Sequence, residues 1–292
     1  MRKIKELIIE KSLLTSALIT IAVTIGIVLV LAIEAVQFFR EVSILEFLTD
    51  TQWTPLFTDK HYGILPLLSG TLLTSFIAIV VALPIGLSIS IYLSEYAPKS
   101  FRKTVKPLLE LLAAVPTVVY GFFALIVVTP FLQQIIPGLS GFNSLSAGFV
   151  MGIMIIPYIS SISEDALHAV PNALREASFG MGATKLQTAF KVVVPAASSG
   201  IIVSIILAIS RAIGETMIVA VAAGQQPRLT LDPTVPVETI TAYIVQVSLG
   251  DVEHGSVEYR TIFAAGITLF VFTFLLNTLS YRIRKKYQER YE

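Results

Sequence analysis

The sequence predicts an all-α membrane protein with six transmembrane helices and both termini in the cytoplasm. Three observations carry that reading. Apolar residues make up 54% of the 292 and charged residues only 14%, whereas a soluble domain carries about 25% charged residues; the mean hydropathy is +0.79. The apolar residues fall into six blocks, each long enough to cross roughly 30 Å of hydrocarbon at about 1.5 Å of rise per helical residue. Lysine and arginine are divided unevenly between alternate connections. Composition narrows function as well. A net charge of +1 gives no electrostatic footprint for nucleic acid, and the absence of cysteine excludes disulfides, thiol catalysis and cysteine metal sites.

The first block, Ser12–Ile33, follows a basic start that includes Arg2, Lys3 and Lys5. It exceeds the roughly 7–15 apolar residues of a cleaved signal, and Glu34, Ala35, Val36 and Gln37 follow it without a small-residue cleavage site, so it reads as a retained span. An acidic outer connection, 34–68, holds the single tryptophan, Trp53, which reads as an interfacial anchor. The second span, Ser69–Ser94, contains Pro84 and Gly86. The third, Leu108–Leu132, contains Pro116 and Gly121, and the fourth, Leu145–Ser163, contains Pro157. Breaks of this kind persist in lipid where neighbouring helices or water satisfy the freed backbone, which suggests a packed bundle around an internal path. Gly148 and Gly152, four apart, fit close helix packing. The fifth and sixth spans are Gly200–Ala223 and Thr261–Tyr281, separated by a second acidic connection, 224–260, in which Val237–Leu249 has helical apolar spacing. The chain divides into an N-terminal part, 1–68, holding the tail, first span and outer loop, and a five-span core, 69–292.

Basic residues set the orientation. The N-terminal tail has Arg2, Lys3, Lys5 and Lys11, and the second connection has Lys99, Arg102, Lys103 and Lys106. The fourth has Arg175, Lys185 and Lys191, and the C-terminal tail Arg282, Arg284, Lys285, Lys286 and Arg290. These sixteen of 21 lie on one side. Only Arg40, Lys60, Arg228 and Arg260 lie on the other, and Arg211 sits within a span.

The fourth connection, 171–195, encodes two short helices with a break. Pro171 suits a helix start. Leu174, Ala177, Ser178 and Met181 then form a small, mostly apolar stripe. Gly182 is a stop, and Thr184 with Gln187 makes a capping box for the next helix. A short helix with an apolar stripe outside the membrane suits a groove on a partner protein.

Arg211 and Glu215 lie inside the fifth span, flanked by Ser210 and Thr216. With the orientation above, Arg211 is about 16 Å into the membrane, near its midplane. A charge there costs at least about 2.5 kcal/mol, so it is a functional candidate. Arginine presents a planar fork of donors that matches a tetrahedral oxyanion. Glutamate can neutralise that arginine between transport events, and can accept the proton of hydrogen phosphate, which sulfate lacks at neutral pH. Ser210, Arg211, Glu215 and Thr216 are the expected substrate path; the competing reading is a structural ion pair locking the bundle.

Glu176-Ala177-Ser178, with Gly182, then Val192, Val194 and Pro195, resembles the EAA loop of ABC-type import permeases at every spacing, with Ser for the second Ala and Val for Ile and Leu. Further strings resemble the phosphate branch of that family: the Arg211-to-Thr216 segment, Tyr62–Pro66 with Gly70, Leu93–Pro98 and Val115–Gly121. The likeness covers residues 62 to 224 and is nearest the PstC-type subunit, with Trp53 and Pro55 in a similar outer loop. The resemblance implies a type I importer bundle, with Glu176, Ala177, Ser178, Gly182 and Pro195 in a coupling helix that docks on an ATPase. It also implies two ATPase subunits, a PstA-like sister permease and an external phosphate-binding protein as partners, in a prokaryotic inner membrane.

No G-x-x-x-x-G-K-[ST] loop is present, so ATP hydrolysis is expected on a partner and no cofactor is expected here. The three histidines, His61, His168 and His254, have no metal-ligand spacing, and no G-x-S-x-G elbow appears. The chain reads as a transport subunit and not an enzyme. Alternatives are a permease of the same class for another oxyanion or small solute, and an ATP-independent channel or secondary carrier.

Overall fold

The computed structural model describes residues 2–287, with side chains omitted for 2–5, 8, 280 and 283–287. The basic side chains counted above at Arg2, Lys3, Lys5, Arg284, Lys285 and Lys286, and all of Arg290, therefore lie outside the described residues. The backbone is almost wholly helical, as the apolar blocks require. It comprises α1 (Arg2–Glu41), α2 (Ile44–Thr49), α3 (Leu65–Tyr96), α4 (Lys99–Ala114), α5 (Thr117–Ile135), α6 (Ser144–His168), α7 (Asn172–Gly180), α8 (Lys185–Ala196), α9 (Ser198–Ile213), α10 (Met217–Ala222), α11 (Ile240–Leu249) and α12 (Val257–Tyr287).

Five of these, in α1, α3, α5, α6 and α12, are long and apolar enough to cross a membrane. α8 and α9 meet at a 72° bend at Ala197 and reach the same length and apolarity only when taken together. On α1, Leu13, Leu18, Ile21 and Ile27 are each more than half exposed. Apolar surface all round a helix belongs in lipid.

The centre of the bundle is the pairing of α3 with α6. A Cβ on Gly148 would stand 2.7 Å from the Ile77 Cβ, and one on Gly152 would stand 2.8 Å from the Val81 Cβ and 2.9 Å from the Ala78 carbonyl. The two glycines let the backbones approach, and van der Waals packing then holds helices that share the same apolar solvent. Around this seam Ala78, Ala82, Ala147, Met151, Met154 and Ile155 are buried, and Ala208 of α9 and Ile218 of α10 close the core.

A second core caps the end of the bundle carrying the acidic connections. Phe38, Phe47, Trp53 and Ile64 pack with Ile240, Tyr243 and Val247 of α11 and with Ile262 and Ala265 of α12. Trp53 is 1% exposed, edge-on to Phe47 and 5.0 Å from the Tyr243 ring. It is a core residue of the cap and not the interfacial anchor expected. Its aromatic neighbours come from distant parts of the chain, so its local sequence does not show them.

Two spans also differ from expectation. The third begins at Thr117, because Val115 is extended before Pro116 (ψ 130°), which ends α4 as a separate helix. The fifth is interrupted: α9 stops at Ile213, and α10 starts only at Met217. By contrast Pro84 and Pro157 sit inside α3 and α6 without ending them.

Candidate functional site

The interruption in the fifth span lies at the charged pair. Glu215 is 2% exposed and sits in the non-helical gap between α9 and α10. Its Oε1 accepts from the backbone N–H groups of Met217 at 3.1 Å and Ile218 at 3.4 Å, and its Oε2 accepts from Arg211 Nη1 at 2.7 Å. Those N–H groups open α10 and have no partner within their own helix, so the carboxylate serves as its cap. Thr241 Oγ1 donates to the Glu215 carbonyl at 2.7 Å, tying the gap to α11 of the second core.

Arg211 is the looser member, 34% exposed against 2% for the glutamate side chain. One of the five guanidinium donors goes to Glu215, and Nη2 lies 3.9 Å from Met154 Sδ on α6. A sulfur is a weak acceptor, so the fork retains donor capacity toward the space beside α6. Ser210, one residue before it, turns elsewhere and donates to Asn277 Oδ1 of α12 at 3.1 Å. Thr216 is half-buried in the gap, with its hydroxyl 3.4 Å from the Gly214 carbonyl. The structure thus brings Arg211, Glu215 and Thr216 together at the gap and directs Ser210 to a different helix.

The loop 171–195 forms the expected pair of short helices. Pro171 is the N-cap of α7, with Gly182 at φ +83° just beyond its end. Thr184 and Gln187 form the reciprocal capping box of α8. The apolar stripe divides. Leu174 packs inward with Leu167 and Val193, and the Ser178 hydroxyl pairs with Thr188 Oγ1 at 2.8 Å. Glu176 and Ala177 face outward, and Phe179, Met181 and Leu186 add exposed apolar surface beside them. Pro195 is exposed two residues before the 72° bend into α9.

Arg175, which sequence reasoning did not single out, fastens this loop to the bundle. Its Nη2 and Nε reach Glu95 Oε1 and Oε2 at 2.8 and 3.2 Å. Its Nη1 and Nη2 also donate to the carbonyls of Val170 at 2.6 Å and Leu167 at 2.8 Å, at the end of α6. Lys185 Nζ stands 5.0 Å over the Tyr96 ring, beside the same glutamate. The only signal available in sequence was a glutamate and an arginine 80 residues apart.

The chain belongs to the family of inner membrane components of binding-protein-dependent transport systems, which matches residues 82–291. It is thereby of the ABC importer permease class, a transport subunit that works with an ATPase and a substrate-binding protein. Among its relatives is a probable ABC transporter permease protein, YqgH, of Bacillus subtilis, 37% identical over 90% of this chain and 85% of the relative. The phosphate transport system permease protein PstC of Mesorhizobium japonicum is 36% identical over 80% of this chain and 76% of its own. The alginate ABC transporter solved with its pentasaccharide-bound periplasmic protein matches over 87% of this chain and 88% of its own, with a TM-score of 0.58 and 19% identity. That last likeness shows the fold alone.

Proposed function

We propose that this chain is the PstC-like permease subunit of an ATP-driven phosphate importer, with the loop 171–195 and both termini on the cytoplasmic side. Its partners in this reading are two ATPase subunits, a PstA-like sister permease and an external phosphate-binding protein. The likeness to PstC proteins over most of both chains supports the substrate. The observation that carries the mechanism is the asymmetric pair at the gap. Glu215 is pinned by two backbone N–H groups, whereas Arg211 is one-third exposed and holds one carboxylate oxygen.

An arriving phosphate competes with Glu215 for the Arg211 fork, which offers two parallel donors to two oxygens of a tetrahedral anion. When Arg211 turns, Glu215 stays bound to the Met217 and Ile218 N–H groups, and its freed Oε2 can accept a hydrogen bond from hydrogen phosphate. Thr216 supplies a hydroxyl at the same gap; Ser210, turned to Asn277, acts at the edge of the path. Glu176, Ala177, Ser178, Gly182 and Pro195 form the ATPase-coupling unit, with residues 69–292 as the transporting core.

The test is ATP-dependent uptake of labelled phosphate into vesicles holding the assembled transporter with binding protein added. Arg211→Ala is expected to reduce uptake at least about 100-fold, the scale of losing a charge-assisted bidentate contact, while the complex still assembles. Glu215→Gln is expected to narrow the preference for phosphate over sulfate. Undiminished uptake in Arg211→Ala would leave the pair a structural lock.

A further inference from the structure

We propose that the cleft between α4 and the adjoining ends of α3 and α6 holds the phosphate of an anionic phospholipid, with an acyl chain in the neighbouring apolar cleft. The first cleft, about 680 Å³, is lined by Lys99, Arg102, Lys103, Lys106 and His168, with Glu110 as its acidic member. Two of these cations are already engaged. Arg102 and Lys106 both pair with the buried Glu164, and Lys106 reaches Asp165 at 2.5 Å. Burial alone would lower the Lys106 pKa, but the two carboxylates outweigh it and hold it above the ordinary lysine value. Arg102 Nη1 also lies 3.2 Å from the ring nitrogens of His168. This network fixes the floor of the cleft. Lys99 and Lys103 are exposed at its rim and make no ion pair among the described residues, so basic side chains outnumber the single acid, Glu110, in the lining.

The second cleft, about 340 Å³, is formed by Ile89, Tyr92 and Leu93 of α3 with Phe101, Val105 and Leu109 of α4. Leu93 borders both clefts. Residues 101, 105 and 109 share one face of α4 and residues 99, 103 and 106 another. Leu108 and Leu111, 55% and 63% exposed, extend the apolar side outward. A free anion would use only the basic cleft. The apolar cleft abutting it fits a molecule with phosphate and hydrocarbon joined, and lysine stems can lie along the hydrocarbon while their ammonium groups meet the headgroup.

The experiment is native mass spectrometry of the full chain purified in detergent, titrated with phosphatidylglycerol, phosphatidylcholine or inorganic phosphate. Phosphatidylglycerol should be retained over phosphatidylcholine. The double variant Lys99→Gln with Lys103→Gln should weaken that retention about tenfold or more, and Lys99→Arg with Lys103→Arg should preserve it. Val105→Trp, which fills the apolar cleft, should weaken both lipids, and millimolar phosphate should displace neither. Equal retention of the two lipids, or no change in the glutamine double variant, would overturn the proposal. Displacement by free phosphate with Val105→Trp inert would also overturn it, since the site would then serve a small anion. The readout involves no transport, so its failure leaves the proposed phosphate import untouched.

Discussion

Glu238 is a buried acid with little to hold its charge. It is 2% exposed, and its Oε1 accepts no hydrogen bond among the described residues. Burial pushes its pKa up to about 8. The sign follows from linkage: between the ordinary glutamate value and about 8 the folded protein holds a proton that the unfolded chain has released. Glu238 therefore contributes most stability below about pH 4.5 and progressively less as pH rises through about 8. Glu238→Gln is expected to remove this contribution to the fall in thermal unfolding temperature between about pH 5 and pH 8.5; an unaltered pH profile would contradict it. Nothing around position 238 in the sequence signals this, because its burial comes from residues far away in the chain. Arg211 and Glu215 were different. Two charges in a block that must cross hydrocarbon stand out wherever their partners are.

Helices were readable where one face or one composition decided them. The Gly148–Gly152 spacing pointed to a close helix pair, and α3 is that partner. Gly152→Val would drive a branched side chain into Val81 and the Ala78 carbonyl, with an expected cost of about 1–3 kcal/mol. It should appear as a lower unfolding temperature or loss of folded protein, while Gly180→Ala, with open space around it, should be close to neutral. The interruptions of the third and fifth blocks were harder. Apolarity measures transfer into lipid and not which carbonyl bonds which N–H, so a broken span and an unbroken one look alike, and the signal at Pro116 was locally ambiguous. The fastening by Arg175 was invisible for another reason, since its partners lie in α3 and α6. Arg175→Lys keeps the charge but loses the fork. It is expected to lower phosphate imported per ATP hydrolysed by about 3- to 10-fold in the reconstituted transporter; an unchanged ratio would make the contact merely structural.

The arrangement of the whole chain across the membrane rests on the uneven distribution of its basic residues, and the absence of cysteine makes that easy to probe. A single cysteine replacing Met181, 88% exposed, should react with an impermeant maleimide in inside-out vesicles and stay unlabelled in right-side-out ones. The opposite pattern would invert the proposed topology.

The 72° bend at Ala197 makes α8 and α9 a crank. Arg211 sits roughly 20 Å along α9 from that corner, at about 1.5 Å per residue. A tilt of about 5° about the corner would sweep the guanidinium sideways by roughly 2 Å over that arm. That is comparable to the difference between a 2.7 Å ion pair and none at all. On the proposed coupling role of residues 171–195, a push on α8 is thus geared to make or break one contact at the far end of α9, with no need for either arm to bend.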